Sequence, residues 1–116
     1  MTTKTRRDLV DQSLANLGVL AAGQTPSAEE VARMDAYVDP VVEGLSEREI
    51  VEVDDIDQIP AAWFLPLSYI VSGAAAADFG AANDPRVILL GDRGEKLLHE
   101  MLQTKATYNR AVPEYF

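Results

Sequence analysis

Thr5-Arg6-Arg7-Asp8-Leu9-Val10-Asp11-Gln12-Ser13-Leu14-Ala15-Asn16-Leu17-Gly18 reads as a helix with its own start and stop. Thr5 is placed to cap the N-terminus, and Asp8, three residues on, completes a variant of the capping box. Val10, Leu14 and Leu17 fall on one face at helical spacing, with Leu9 beside them. Gly18 can take the left-handed conformation that ends a helix. The predicted helix therefore runs from about Arg6 to Leu17. Its odd feature is Arg6 and Arg7 in the first turn, where the helix dipole disfavours each cation by roughly 0.3–1 kcal/mol. They read either as a contact for an acidic partner surface or as solvated surface charge.

Outward from there, the loop at 18–26 contains Gly23 and Pro26, and a second capping box opens at Ser27 with Glu30. The second helix carries a stripe of Val31, Met34, Val38, Val41, Val42 and Leu45. The stripe stays in phase through Pro40, so a kink between Ala36 and Pro40 is expected, not a break. An acidic stretch follows: Glu43, Glu47, Glu49, Glu52, Asp54, Asp55 and Asp57, with Arg48 as its one base. Inside it Ile50-Val51-Glu52-Val53 reads as a short strand. Its backbone groups need partners, either in a short hairpin or on a neighbouring subunit.

A third helix is expected from about Pro60, a favoured first-turn residue. Trp63, Phe64, Leu65, Leu67, Tyr69, Ile70, Val71 and Phe79 cover it nearly all round, which marks a central, buried helix. Ala74 to Ala77 allow another helix close approach, and Gly80 ends it. Ile59 to Ala77 holds no charged residue and is long enough to span a bilayer. Two prolines, several polar residues and acidic flanks (Asp55, Asp57, Asp78) argue instead for a buried helix and no membrane. The fourth helix opens at Asp84-Pro85. Val87, Leu90, Gly94, Leu97, Leu98, Met101 and Leu102 keep one face apolar to about Tyr108. Gly91 and Gly94 each cost it roughly 1 kcal/mol relative to Ala, which points to tight packing or a hinge. The tail from Asn109 to Phe116 is expected to be non-helical. Pro113, Tyr115 and Phe116 suit partner docking; folding back on the core and disorder are the alternatives.

The fold class expected is all-α: a four-helix bundle-like domain over residues 1–108, with an extended acidic loop containing a short strand, and an extended tail over 109–116. A chain of 116 residues, 47% hydrophobic and 25% charged, suits one soluble domain. It has no cysteine, which removes disulfides, zinc–thiolate sites and thiol catalysis. A net charge of -9 is a poor match for wrapping duplex DNA. The chemical motifs fail one by one. His99-Glu100 would need a second histidine where Gln103 stands. A calcium loop from Asp55 would need glycine and glutamate where Pro60 and Pro66 stand. Gly91-Asp92-Arg93-Gly94 lacks the Gly-Lys-Ser/Thr end of a phosphate loop. Acids this dense usually form a solvated face. No enzyme, metal or cofactor is expected.

Three features together resemble the head-to-tail adaptor (head-completion) proteins of tailed bacteriophages. These are Arg7-Asp8-Leu9-Val10 through Leu14-Ala15-Asn16-Leu17-Gly18, the capped second helix ending before an acidic strand-like stretch, and Ile59-Pro60 leading through Leu65-Pro66-Leu67 to Phe79-Gly80. The resemblance covers about Thr5 to Tyr108. It implies a structural virion protein at the head–tail junction, made in the bacterial cytoplasm. Copies, typically twelve, would form a ring beneath the portal that extends the DNA channel, helps retain packaged DNA and offers a surface to tail, stopper or nozzle proteins. DNA would pass without sequence-specific contact. Candidate portal or subunit-interface residues are Arg6, Arg7, Ile50, Val51, Val53, Arg110, Val112, Pro113, Tyr115 and Phe116. The alternative is a small acidic helical regulatory or protein-binding module.

Overall fold

The computed structural model describes residues 3–19, 23–48 and 53–111, with the backbone alone for 102–111. Five helical segments carry the fold: α1 (Arg6–Asn16), α2 (Ala28–Asp35), α3 (Val38–Glu47), α4 (Ala61–Ala75) and α5 (Pro85–Ala111). A 3₁₀ turn, Ala76–Phe79, extends α4, and two-residue strands β1 (Thr3–Lys4) and β2 (Ile59–Pro60) pair antiparallel, Thr3 opposite Pro60. With α2 and α3 forming one bent arm, the chain is an all-α, four-helix bundle-like domain.

Local chemistry sets the boundaries. The Thr5 and Ser27 capping boxes both form, each hydroxyl accepting from the N3 amide while the N3 carboxylate accepts from the cap N–H. Gly18 (φ 72°) and Gly80 (φ 71°) take the left-handed conformation that stops α1 and the 3₁₀ turn. At the start of α5, Asp84 accepts from the Arg86 amide at 2.9 Å.

Three boundaries differ from the sequence expectation. The kink resolves into an interruption at Ala36–Tyr37, both still right-handed helical. Pro40 is the third residue of α3, where its missing N–H has no intrahelical acceptor to lose. The in-phase stripe survives because those two turn residues keep near-helical angles, so Met34, Val38 and Leu45 all reach the core. Pro60 is not the first helical residue. It is extended (ψ 135°), caps α4 and pairs with Thr3. The last helix does not stop at Tyr108: Asn109, Arg110 and Ala111 are helical.

The core gathers Leu9, Val10 and Leu14 of α1 with Met34, Val38, Leu45, Ile59, Leu67, Val71 and Val87. α4 is the central element, packed by α1 on one side and α5 on the other. It is less uniformly buried than expected, since Leu65 is 47% exposed. The segment Ala61–Phe79 is long and apolar enough to cross a membrane by length and composition. Half of it is already buried within the fold, as in the core helix of a bundle.

Candidate interaction surfaces

Arg6 finds acidic neighbours inside its own chain. Its Nε donates to Asp35 Oδ1 at 2.7 Å and Nη1 to Asp39 Oδ1 at 2.8 Å. Nη2 reaches the Asp35 carbonyl at 3.3 Å, and the Arg6 backbone N–H donates to Asp57 Oδ1. The guanidinium thus spans the α2–α3 junction and fastens it to the start of α1. These contacts raise the Arg6 pKa further above its already high value and hold Asp39 below the usual carboxylate range. Asp8 is also lowered, chiefly because the Thr5 N–H donates to it. The dipole cost at Arg6 is offset by charge-assisted hydrogen bonds. Arg7 is more open and pairs with Asp11 one turn on, at 2.9 Å. At the same junction the Tyr37 hydroxyl donates to the Asp78 carboxylate, tying it to the 3₁₀ turn and raising the tyrosine pKa.

A polar seam joins α1 to α4. Asn16 Nδ2 donates to Ser68 Oγ at 3.0 Å and to Ser72 Oγ at 3.3 Å. The Ser68 hydroxyl donates to the Leu65 carbonyl, Ser72 to the Ser13 carbonyl and Ser13 to the Leu9 carbonyl. Ser13, Ser68 and Ser72 are fully buried, and no buried side-chain polar atom among the described residues lacks a partner. Each hydroxyl gives its proton to a backbone carbonyl, an acceptor that cannot activate it as a nucleophile. The seam is a fastener, and its outer end is closed by Arg86 of α5, which donates to the Asn16 carbonyl at 2.9 Å. Sequence reading missed it. Its signal was Ser68 and Ser72 one turn apart on an apolar helix, facing Ser13 and Asn16 three apart on another.

The α4–α5 contact is built the opposite way. A Cβ on Gly94 would lie 2.5 Å from the Pro66 carbonyl oxygen and 2.9 Å from Ile70 Cγ1. A Cβ on Gly73 would lie 3.2 Å from Gly91 Cα. The glycines that weaken α5 as a helix therefore serve tight packing, as the sequence suggested. Beside this contact the helices part into an open groove of about 450 Å³. Gly73, Ala74, Ala77 and Ile88 line its apolar part, and Asp92 and Glu95 its edge. Ile88 and Leu89 are 54% and 66% exposed. Arg48, the residue that caps the C-terminus of α3, holds Glu95 at 2.5 Å; Asp92 has no ion pair among the described residues.

α5 outruns the bundle. Gly91 lies against Gly73 and Gly94 against Pro66, so the two helices are antiparallel. By that register α5 continues roughly eight to twelve residues, or about 12–18 Å, past the level where α4 begins. The molecule measures 56 × 29 × 25 Å.

Of the interface residues expected from sequence, Arg6 and Arg7 sit together on α1, each paired within the chain. Val53 is half-buried and has no strand pairing. Ile50 and Val51 lie outside the described residues, so the described strand pairing is at β1–β2 instead. Arg110 belongs to the α5 backbone, not to an extended tail, and Val112, Pro113, Tyr115 and Phe116 lie outside the described residues. No group of three or more His, Asp or Glu side chains converges as a metal site among the described residues. No family model, curated protein or solved structure matches the chain.

Proposed function

We propose that this chain is a structural virion protein of the head-to-tail adaptor type. Copies of it form a ring, nominally of twelve, beneath a phage portal. The ring extends the DNA channel, helps retain packaged DNA and presents a surface to tail, stopper or nozzle proteins. The observation that carries the reading is the α5 overhang. A small bundle whose longest helix runs past the level where its neighbouring helix begins can present the sequence after Ala111 to another molecule. That sequence, Val112-Pro113-Glu114-Tyr115-Phe116, is rich in the side chains that anchor interfaces.

Charge agrees with the role. A net charge of -9 makes a channel wall that repels DNA phosphates, so a genome slides past without sticking. A ring requires heterologous contacts, one surface meeting a different one on the next copy. A compact bundle and a projecting helix end are two such surfaces.

The test is assembly on a cognate portal. Mixing the purified chain with purified portal rings is expected to add a layer of density at the tail-side face, visible by electron microscopy. Removing Val112 to Phe116 is expected to weaken that docking. A portal that stays bare at saturating concentrations, while the chain remains a stable monomer, overturns the proposal and favours the regulatory protein-binding module.

A further inference from the structure

We infer that the α4–α5 groove is a docking site for a basic amphipathic helix of a partner protein. The inference goes beyond the ring reading and does not rest on it.

The groove is a trough between two antiparallel helices. Gly73, Ala74 and, in the 3₁₀ turn, Ala77 form its α4 wall, and Ile88, Asp92 and Glu95 form its α5 wall. The α5 residues stand at i, i+4 and i+7, one face of that helix. From Ile88 to Glu95 the wall runs about 10 Å, two turns of helix. Ala74 and Ala77 are exposed, and neither carries more than a methyl group. Helix axes approach as closely as the side chains at their contact allow. This wall therefore admits a third helix bearing a bulky apolar anchor. Ile88 and Leu89, both exposed, widen the apolar contact on the other side.

Charge fixes the sign of the partner. Asp92 and Glu95 are the charged residues of the lining, and both are acids. Arg93 and Lys96, on the same helix, lie outside it. Arg48 engages one oxygen of Glu95, Oε1, and no ion pair engages Asp92 among the described residues. A lysine or arginine one turn from the partner's anchor meets Asp92, on a chain whose net charge of -9 attracts it from a distance.

A second copy of this chain suits the groove poorly. Among the described residues its exposed large hydrophobics are Leu65, Ile88, Leu89 and Met101. Leu65 and Met101 are single residues on different helices, and Ile88 and Leu89 belong to the groove's own edge. Two copies meeting there about a two-fold axis would set Asp92 and Glu95 against the same acids. With a partner helix, two turns of contact make a footprint below the roughly 1,200 Å² of a standard interface, so the complex is transient and salt-sensitive.

Fluorescence anisotropy of labelled peptides tests this on the full chain. One peptide of about 18 residues, long enough to hold a helix, carries a leucine stripe flanked by lysine and arginine. A second has glutamate in place of those bases, and a third scrambles the basic peptide so that the stripe is lost. The basic peptide is expected to bind about tenfold more tightly than either control. Ala74→Gln together with Ala77→Gln fills the wall without changing charge and is expected to weaken binding about tenfold. Asp92→Asn is expected to weaken it roughly threefold. Glu29→Gln, the same change of charge on α2, away from the groove, is expected to leave it unchanged. All four positions are exposed, so each variant keeps the fold, which circular dichroism checks. Equal affinity for the acidic or the scrambled peptide, or binding that survives the two glutamines, overturns the inference. So does an equal loss from Asp92→Asn and Glu29→Gln, which would reduce the contact to overall charge. Concentration-dependent sedimentation that the two glutamines abolish would give the groove to a second copy and overturn it as well. No portal enters these measurements, so their failure is distinguishable from failure of docking on a portal.

Discussion

The two sides of α4 are fastened by opposite means. Toward α1, three buried serines and an asparagine exchange hydrogen bonds across a polar seam. Toward α5, backbone meets backbone at Gly73–Gly91 and at Gly94–Pro66, with no side chain between. The seam is a set of separable bonds, each worth about 1 kcal/mol net. The glycine contact is a single steric fit, and close-packed interiors have little slack to absorb an added methyl. One helix thus carries a side that degrades gradually and a side that fails at one position.

The largest expected effect tests the steric side. Gly94→Ala places a methyl group 2.5 Å from the Pro66 carbonyl oxygen, and that neighbour is backbone inside α4. The helix propensity gained, about 1 kcal/mol, is outweighed by overpacking, and a net loss of about 1–3 kcal/mol is expected. Thermal unfolding followed by circular dichroism should show a Tm lowered by several degrees. An unchanged Tm would mean that α4 and α5 slide apart freely, and the contrast between the two sides would disappear.

Asn16→Ala tests the polar side. It removes the amide that donates to Ser68 and Ser72 but leaves both hydroxyls bonded to backbone carbonyls. A loss of about 1–2 kcal/mol is expected in denaturant unfolding. A larger loss than that of Gly94→Ala would reverse the ranking of the two interfaces.

How far these interfaces were legible in the sequence follows from the same difference. Steric contacts leave a mark in composition: Gly91 and Gly94 stand out in a helix whose propensity they lower, and Ala74 to Ala77 signal close approach. The helix starts at Thr5, Ser27 and Asp84 were legible because capping is local chemistry within four residues. The Ser13–Asn16–Ser68–Ser72 seam was not, because each serine alone is an ordinary helix residue and only tertiary register brings them together. The Arg6 fastening was hidden for the same reason. Its anomaly against the dipole was visible, but Asp35 and Asp39 lie on a helix junction whose placement depends on the whole fold. β1–β2, two residues on each strand, falls below any periodic signal. The run of α5 through Ala111 was masked by Asn109 and by Pro113 beyond it, which mark a helix end without fixing its residue.

Arg6→Ala sharpens the comparison with a third fastening, one at the solvent edge. Partly exposed ion pairs are screened, so a loss of about 1 kcal/mol at neutral pH is expected. The pH dependence identifies its origin. Asp39 and Asp8 titrate below their ordinary range when folded. Their contributions are complete above the unfolded carboxylate value near 3.9 and are lost as pH falls through the lower folded values. Arg6→Ala should flatten this acid limb by removing the share of Asp39, and leave the share of Asp8, which depends on the Thr5 amide. Parallel acid limbs for the two proteins would place the effect of Arg6 in packing.

The smallest expected effect has the opposite sign and isolates why Gly94 is intolerant. Gly44 is also a helical glycine, in α3, but a Cβ built there meets nothing within 4 Å. Gly44→Ala gains helix propensity and restricts the unfolded chain with no steric cost, so stability should rise by about 0.5–1 kcal/mol. The substitution is chemically the same as Gly94→Ala, and so is its effect on local backbone preference. Any difference between the two measured values is therefore the tertiary term at the α4–α5 contact. A Gly44→Ala protein destabilised as much as Gly94→Ala would remove that term and leave the glycines of α5 as mere weak points in a long helix.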